Sequence, residues 1–346
     1  MRVLVVGGSG FIGPHIVSAL EGAGHEAIVF HRTSSSRFRN EFIGDRRRLA
    51  DYREPLRALK PDVVVDVILS SGRQARELVD VFRGATGRVV ALSSCDVYRA
   101  CGVLHGLEPG PLEPVPLTEE SALRTTLQTY PADSVRMLQQ IFGWLDDEYD
   151  KIPVEREILG DRELPGTVLR LPMVYGPGDR LRRFLPIVKR VDDGRRAIVF
   201  EEKLAAWRAP RGHVANVAAA VARAATHERA ARRVYNIAEA ESYSELEWAR
   251  RIASSMNWTG RFVVLPRDKT PPHLVQPGNA DQHWTVDTSR IRTELGYAEP
   301  IAQDDAIRGT IAWERANPTS SSPHVFDYEA EDKAVTDDNA LASAWP

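Results

Sequence analysis

The chain opens with a strand, a glycine-rich turn and a helix, and this order constrains the fold more than any other feature. Residues 3–6 are an apolar run, Gly7, Gly10 and Gly13 follow in the pattern G-x-x-G-x-x-G, and the apolar residues after the turn have helical spacing. Such glycines allow a tight bend, let the backbone approach a pyrophosphate and let the helix pack on the strand, while the helix N-terminus attracts the anion. The segment therefore predicts a dinucleotide site lined by Gly7, Gly10, Phe11, Ile12 and Gly13.

The composition is that of an ordinary globular protein and argues against several function classes. The 346 residues are 43% hydrophobic and 27% charged, with a formal net charge of −3. The chain can therefore bury one large core or two fused ones, and it has no basic excess that would favour nucleic acid as a partner. No apolar stretch approaches the roughly 20 residues of a membrane span, so we expect a cytoplasmic protein with no membrane partner. We expect Cys95 and Cys101 to be reduced and no metal to be bound.

Alternating strand and helix patterns predict a doubly wound α/β fold, with a Rossmann-type parallel sheet and a smaller C-terminal α/β part. The predicted strands are 26–30, 62–69, 88–92 and 167–171, and the predicted helices are 11–21, 55–60 and 72–82. The smaller part has predicted segments at 182–192, 196–201, 243–256 and 261–265. We expect a dinucleotide-binding domain at 1–176, an interleaved substrate-binding domain at 177–316, and an acidic, weakly ordered tail at 317–346.

Five later segments carry motifs that resemble one family. They are Val89–Tyr98 (VVALSSCDVY), Leu169–Gly178 (LRLPMVYGPG), His213–Ala220 (HVANVAAA), Tyr235–Ala238 (YNIA) and Asp287–Tyr297 (DTSRIRTELGY). With the glycine turn, these segments resemble the extended short-chain dehydrogenase/reductase family, which includes NAD(P)-dependent sugar-nucleotide epimerases and dehydratases. The resemblance covers about residues 1–315 and departs from the family at Asn216, where an aspartate is usual.

The end of the second predicted strand bears on the choice of cofactor. NAD sites usually have an acid about 20 residues after the glycines, which binds the ribose hydroxyls. Here His31 stands at that place, followed by Arg32 and by three serines at 34–36. A carboxylate would repel a 2′-phosphate, whereas a guanidinium binds it with two hydrogen bonds. We therefore predict that His31 and Arg32 contact the cofactor and that NADP is preferred over NAD; the alternative is that Arg32 stacks on adenine or faces water while NAD is bound.

The resemblance implies a catalytic serine, a tyrosine that acts as acid and base, and a lysine four residues after the tyrosine. Ser94 matches the serine. Lys151 matches the lysine, because Lys151 and Glu155 keep the family's Lys-x-x-x-Glu spacing. The tyrosine departs from the pattern, because Asp147 stands four residues before Lys151.

Two tyrosines are candidates for the acid/base, and Tyr149 is preferred. Pro153 is tolerated only in the first turn of a helix, so a helix that begins near residue 152 would leave Tyr149 and Lys151 in irregular backbone, where they could meet. Tyr130 lies in an insertion that lengthens the usual spacing between the serine and the lysine. If neither tyrosine acts, Asp147 or Asp96 could do so, provided that burial raised the pKa of the carboxyl group.

Further contacts follow from the resemblance. Ser93, Lys151 and Pro172 would bind the cofactor. The substrate would be bound by Asp96, Arg182, Arg208 and Arg211, with Arg183 and Trp207 as further candidates. The arginines are included because guanidinium groups suit phosphate oxygens. For any one arginine, a surface ion pair is the alternative.

These observations lead to one functional hypothesis and one alternative. We expect an oxidoreductase of the extended short-chain type, acting as an epimerase, dehydratase or reductase on a sugar nucleotide or a similar hydroxy or keto substrate, with a homodimer as a possible assembly. In the alternative, the missing tyrosine means that the protein binds a nucleotide but has lost catalysis. It would then act as a sensor, a scaffold or an RNA-associated factor, with the arginines at 46–48 holding the RNA.

Overall fold

The structure is a computed structural model that describes residues 1–128, 130–319 and 324–343, with side chains described up to residue 337. The strands are β1 (Arg2–Val6), β2 (Glu26–His31), β3 (Glu41–Ile43), β4 (Val63–Asp66), β5 (Arg88–Ser94), β6 (Gly166–Leu171), β7 (Met173–Tyr175), β8 (Ala197–Glu201), β9 (Arg211–His213), β10 (Val234–Asn236) and β11 (Arg261–Leu265). The α-helices are α1 (Gly13–Gly22), α2 (Arg53–Ala58), α3 (Gly72–Phe82), α4 (Arg99–Leu104), α5 (Ala132–Ile141), α6 (Lys151–Gly160), α7 (Leu185–Asp192), α8 (Glu202–Ala206), α9 (Val214–Thr226), α10 (Glu245–Ser255), α11 (Ser289–Leu295), α12 (Gln303–Ala316) and α13 (Tyr328–Ser343).

A central sheet has the strand order β10-β6-β5-β4-β1-β2-β3, and every neighbouring pair is parallel. The order reverses between β1 and β4, because the chain adds β2 and β3 on one side of β1 and β4 to β6 on the other. This arrangement confirms the doubly wound α/β fold that the sequence predicts.

Helices cover both faces of this sheet, as the apolar strands require. Side chains alternate along β1, so that Val3 and Val5 pack on the side of α1 and α9 while Leu4 and Val6 pack on the side of α3 and α6. All four are fully buried. A strand that is buried on both faces reads as a continuous apolar run, and this pattern made the strands recognisable.

The smaller part surrounds a second core in which α7, α10 and α12 meet. Its largest buried side chains include Trp248, Tyr175 and Phe184. The pair β8 and β11 forms a two-stranded parallel sheet at its edge. Both β10 and α9 follow residue 177 in the chain but belong to the central sheet and its covering layer.

The described part of the tail contains a helix that packs on the smaller part. Helix α13 lies against the sheet of β8 and β11, where Ala334 and Val335 contact the apolar core. Glu331 is 1% exposed and lies 2.5 Å from Arg190 and 3.1 Å from His273. The acidic run therefore contains a buried carboxylate that pairs with the smaller part. Residues 320–323 and 344–346 of the tail lie outside the described residues.

Candidate active site

The glycine-rich turn forms a backbone cradle at the end of β1. Gly7 has a φ of +82°, and a Cβ there would come within 2.7 Å of Ile68. A Cβ on Gly13 would lie 2.5 Å from the Gly8 backbone, so this glycine lets α1 pack closely on the turn. At Gly10 the nearest atom to such a Cβ is a backbone oxygen 3.7 Å away, so the space above Gly10 is open to a ligand.

A cavity of about 350 Å³ lies beyond the carboxyl ends of the central strands, where the strand order reverses. Open α/β sheets bind their ligands at this position. It is lined by most of the site residues that the sequence predicts, namely Gly7, Gly10, Phe11, Ile12, His31, Arg32, Ser93, Ser94, Tyr149, Lys151 and Pro172. The predicted site residues that do not line it are Gly13, Asp96, Arg182, Arg208 and Arg211, and the further candidates Tyr130, Asp147 and Trp207 do not line it either.

Lys151 is the first residue of α6 and lies in the floor of the cavity. Asp150 caps this helix by accepting a hydrogen bond of 2.8 Å from the amide of Ile152, and Pro153 follows within the first turn. The helix therefore begins one residue earlier than predicted. Lys151 is 5% exposed, and its ammonium group donates to the carbonyl oxygens of Leu69 and Leu92. Burial lowers the pKa of Lys151 to about 8, although nearby carboxylates partly oppose the shift.

The two serines at the end of β5 have different surroundings. Ser93 donates a hydrogen bond of 2.6 Å to Glu155, which also pairs with Arg170 at 2.7 Å. Ser94 lines the cavity, and its oxygen accepts a hydrogen bond of 3.2 Å from the amide of Asp96. The Ser94 hydroxyl can thus still donate its proton to a ligand.

Both candidate tyrosines donate to the same buried carboxylate. The hydroxyls of Tyr149 and Tyr130 lie 3.2 and 3.4 Å from Asp96 Oδ2, and the two rings are 6.0 Å apart. Asp96 is 1% exposed, and burial raises the pKa of its carboxyl group. Burial, and then the Asp96 charge, also raise the pKa of Tyr149 well above its ordinary value. Asp96 therefore faces the tyrosines instead of the cavity.

The geometry separates the acid/base candidates. Tyr149 precedes α6 in irregular backbone, lines the cavity, and has its ring centroid 5.6 Å from the Lys151 nitrogen. Asp147 is exposed, does not line the cavity, and accepts a hydrogen bond of 2.7 Å from Gln139. Tyr130 is also outside the cavity lining. Of these three residues, only Tyr149 can touch a ligand in the cavity.

A carboxylate that the sequence analysis missed lies beside His31, behind the lining of the predicted adenosine end of the cavity. His31 is 5% exposed, and its Nε2 lies 3.2 Å from Glu41 of β3. Glu41 also accepts hydrogen bonds from the Ser34 hydroxyl at 2.8 Å and the Ser35 amide at 2.9 Å. The bond from Ser34 lowers the pKa of Glu41. Ser34 and Ser35 are thus already bonded to an acid, whereas Arg32 is exposed at the cavity wall.

The three arginines predicted to bind substrate are paired with acids of the smaller part. Arg182 lies 2.7 Å from Glu314 and stacks on Trp313, with 4.7 Å between the guanidinium carbon and the ring centroid. Arg208 pairs with Glu247 at 3.0 Å, and Arg211 pairs with Glu245 at 2.5 Å. None of the three lines the cavity, because the cation in each case is held by a carboxylate elsewhere.

Two neighbouring arginines line the cavity instead. Arg183, a secondary candidate from the sequence, pairs with Asp179 at 2.8 Å, and Arg180, which the sequence did not single out, donates to the Ile141 carbonyl at 2.7 Å. Both arginines follow the Tyr-Gly-Pro-Gly segment, so their position directly after that motif could have indicated that they line the cavity.

The insertion between α4 and α6 supplies part of the cavity wall. Phe142, Gly143 and Trp144 line it, and the Trp144 ring lies 5.9 Å from the Lys151 nitrogen. The preceding helix, α5, has no buried residue. The sequence could not indicate this contact, because it depends on how the insertion folds back over the sheet.

The described residues also bear on metal binding, membrane spans, cysteines and the arginine cluster at 46–48. Among these residues there is no group of three or more His, Cys, Asp or Glu side chains placed to hold a metal. None of the described helices is long and apolar enough to span a membrane. Cys95 and Cys101 are unpaired thiols, and burial raises the pKa of both. Arg46, from the cluster proposed for RNA, is buried and pairs with Asp66 at 2.7 Å.

Solved structures with a similar fold contain NAD. MoeE5 in complex with UDP-glucose and NAD is 21% identical, with 91% of this chain and 99% of that chain covered and a TM-score of 0.65. A dTDP-glucose 4,6-dehydratase from Bacillus anthracis with NAD is 16% identical, with coverage of 92% and 97% and a TM-score of 0.64. DesIV, a dTDP-glucose 4,6-dehydratase from Streptomyces venezuelae with NAD and TYD, is 20% identical, with coverage of 92% and 98% and a TM-score of 0.64. At these identities the likeness shows the fold alone.

Sequence comparison identifies the family. No curated protein shows significant sequence similarity to the chain. A family model matches residues 3–238, which include the glycine turn, Ser94, Tyr149 and Lys151, and the family it represents is the NAD-dependent epimerase/dehydratase family. The match covers more than half of the chain and agrees with the resemblance carried by the motifs. The protein therefore belongs to the NAD-dependent epimerase/dehydratase family, within the extended short-chain dehydrogenase/reductases.

Proposed function

We propose that the protein is an NAD(P)-dependent oxidoreductase that acts as an epimerase, dehydratase or reductase on a sugar nucleotide or a similar hydroxy or keto substrate. The observation that carries this proposal is that Ser94, Tyr149 and Lys151 line the same cavity as the glycine turn. A dinucleotide cradle and a set of proton-transfer groups are thereby adjacent.

The residues present fit a nicotinamide dinucleotide. The open space above Gly10 and the N-terminus of α1 suit a pyrophosphate. The Lys151 ammonium at the other end can bind a ribose hydroxyl in addition to its two carbonyl partners. When bound, the cofactor would supply the hydride chemistry.

The protein groups would handle the reacting oxygen. Ser94 would donate a hydrogen bond to it, and Tyr149 would exchange a proton with it. Lys151 would stabilise negative charge that develops nearby, because a cation 5.6 Å from the Tyr149 ring acts strongly in a buried site.

The substrate class is proposed by analogy with proteins of the same fold, whose structures contain UDP-glucose or UDP-glucuronic acid with NAD. The sequence assigns phosphate contacts to Arg182, Arg208 and Arg211. We transfer this role to Arg180 and Arg183, because they line the cavity. The cytoplasmic location, the homodimer and the division at residue 177 stay predictions.

One observation supports NADP as the cofactor and another supports NAD. Exposed Arg32 at the cavity wall supports NADP, as the sequence predicts. Glu41 opposes it, because a carboxylate 3.2 Å from His31 would repel a 2′-phosphate held beside that ring. We retain NADP as the first expectation, to be tested against NAD.

The test is conversion of sugar nucleotides by the purified protein, followed by mass spectrometry in the presence of NAD or NADP. We expect a UDP-sugar or dTDP-sugar to be converted, and conversion to be lost in Ser94→Ala and Lys151→Met. Ser255→Ala and Lys189→Met are matched controls, because both side chains are exposed and outside the cavity. Dinucleotide binding without conversion of any substrate would favour the catalytically impaired alternative.

A further inference from the structure

Asp96 holds an unusual position between the cavity and the insertion. Its Oδ2 accepts hydrogen bonds from Tyr149 and Tyr130, whereas its Oδ1 is buried and has no hydrogen-bond partner among the residues that the structure describes. A buried carboxylate normally has donors on both oxygens, because an unpaired polar atom away from water is costly. The unequal pairing leaves Asp96 able to accept a proton without breaking an ion pair of its own.

The charges around Asp96 are balanced by other groups. Arg124 donates to the backbone oxygen of Asp96 at 2.6 Å, while its guanidinium lies 3.4 Å from the carboxylate of Asp150. Lys151 is the second nearby cation, and the thiols of Cys95 and Cys101 are neutral because burial raises their pKa. The ionisable groups that face Asp96 from the elements packed against it are thus Tyr149, Tyr130, Arg124, Lys151, Asp150, Cys95 and Cys101.

This arrangement changes the role that Tyr149 can play. A hydroxyl that donates to a carboxylate resists ionisation, because a tyrosinate would face a second negative charge. Tyr149 is therefore held as a neutral phenol at neutral pH and cannot serve as a standing base. It can pass a proton on, because its hydroxyl reaches Asp96 on one side and its side chain reaches the cavity on the other.

We propose that Asp96 is the proton store of the site and acts through Tyr149, with Tyr130 as a second donor that sets how readily Asp96 accepts the proton. The inference rests on the proposed function. In the oxidising direction the substrate O–H bond breaks and a new Tyr149 O–H bond forms, while the original Tyr149 proton moves to Asp96. A bound oxidised dinucleotide would accept the hydrogen of the substrate C–H bond together with its electron pair, which would leave a carbonyl. Reduction reverses each transfer.

Tyr130 has a distinct and testable part in this relay. Each hydroxyl that donates to Asp96 stabilises the ionised carboxylate and so lowers its pKa, against the rise that burial causes. Removal of the Tyr130 hydroxyl should therefore make Asp96 a stronger proton acceptor without touching the cavity. Asp96 and Tyr130 are positioning residues, since neither lines the cavity.

The first experiment needs no substrate. The protein is labelled with carbon-13 at the aspartate carboxyl groups, and the Asp96 resonance is identified as the signal absent from Asp96→Asn. We expect its titration midpoint to rise in both Tyr130→Phe and Tyr149→Phe, and to stay unchanged in Tyr328→Phe, a control that removes a hydroxyl donating to Asp193 outside the cavity. A midpoint that moves in neither Tyr130→Phe nor Tyr149→Phe overturns the proposal.

The second experiment measures conversion against pH for the substrate found under the proposed function. We expect Asp96→Asn to lower the rate of conversion by at least about tenfold and to abolish the decline of that rate at low pH. Asp96→Glu should restore the decline, and Tyr130→Phe should shift it to higher pH. The dissociation constant of the dinucleotide should change less than about twofold in each. An unaltered pH profile in Asp96→Asn overturns the relay. Absence of conversion by the unmodified protein would count against the proposed function, while the carboxyl titration would still decide whether the tyrosines control Asp96.

Discussion

At the scale of single residues, the candidate site depends on ionisable groups held away from water. Lys151 is 5% exposed and Asp96 1% exposed, and each has a pKa shifted toward its neutral form mainly by burial. A buried charge is retained only where neighbouring dipoles or charges stabilise it. Carbonyl oxygens do so for Lys151, and tyrosine hydroxyls do so for Asp96. Burial nevertheless lowers the pKa of Lys151 to about 8 and raises the pKa of the Asp96 carboxyl group.

The shifted pKa of Lys151 predicts a specific dependence of stability on pH. The unfolded chain holds this proton up to about pH 10.4, whereas the folded protein releases it at about pH 8. The unfolded state therefore binds more protons in between, and the free energy of unfolding of the cofactor-free protein should rise by about 2–3 kcal/mol from pH 8 to pH 10. Lys151→Met should lack this rise.

Urea denaturation at several pH values between 7 and 10 measures the effect. The difference between the unmodified protein and Lys151→Met isolates the single lysine from other titrating groups. Lys189→Met is the control, because Lys189 is 41% exposed and pairs with Asp193 at the surface. Equal pH slopes in Lys151→Met and the unmodified protein would refute the prediction.

The sequence predicts that Arg32 selects NADP by binding its 2′-phosphate. Loss of a charge-assisted contact to the 2′-phosphate costs about 1.5–3 kcal/mol. Arg32→Ala should therefore weaken NADPH binding about 10- to 100-fold and NADH binding much less, as measured by titration calorimetry. Arg39→Ala, exposed and outside the cavity, should change neither. Equal weakening of both nucleotides would show that Arg32 does not read the phosphate and would favour NAD.

At the scale of secondary-structure elements, the sequence did not predict what the insertion before α6 and helix α13 pack against. The insertion brings Tyr130, Trp144 and Tyr149 against the end of β5, although α5 itself has no buried residue. Helix α13 packs on β8 and β11 and buries one of its acids. One element completes the cavity and the other completes the smaller part.

The position of Trp144 predicts a spectroscopic signal. Because Trp144 lines the cavity 5.9 Å from the Lys151 nitrogen, it should lie close to a bound nicotinamide. Energy transfer from tryptophan to bound NADH or NADPH falls steeply with distance, so this emission should drop in Trp144→Phe. It should persist in Trp313→Phe, since Trp313 stacks on Arg182 outside the cavity. An unchanged signal in Trp144→Phe would place the nicotinamide elsewhere.

The buried acid of α13 predicts a large effect on stability. Removal of one partner from a buried ion pair typically costs about 3–5 kcal/mol, because the other charge is left uncompensated. Glu331→Gln should lower the free energy of unfolding by this order through the loss of its pairing with Arg190. Glu329→Gln, at an exposed position of the same helix, should change it by less than about 0.5 kcal/mol. Equal values for both variants in guanidinium denaturation would mean that α13 contributes little to folding.

At the scale of the whole molecule, the sequence predicted most of the architecture because its signals are local. The bounds of α3 and β11 agree with the predicted segments, since amphipathic spacing and apolar runs are set by neighbours along the chain. The three-residue strand β3 was missed because so short a segment carries no periodicity. Helix α13 was missed because its acidic composition hides the few residues that pack.

The candidate site was predicted only in part, because only some of its residues lie in motifs that are local in the sequence. Ser94 and Lys151 line the cavity, and the sequence could single them out because each lies in a contiguous motif; their catalytic roles stay predictions. The convergence of Tyr130 and Tyr149 on Asp96 could not be found, because it depends on residues brought together by folding of the insertion. The three arginines predicted to bind substrate lie outside the cavity lining, because the sequence does not reveal which carboxylate each guanidinium group will pair with.

The central claim is that the cavity holds a nicotinamide dinucleotide, and mass spectrometry of the nucleotide released on denaturation tests it most directly. The protein would be analysed as purified and after incubation with excess NAD and NADP followed by gel filtration. We predict one of the two dinucleotides at near-stoichiometric amount in the unmodified protein. We predict its loss in Gly10→Val, whose side chain would enter the open space above the turn. Release of neither dinucleotide from the folded, unmodified protein under both conditions would contradict the account.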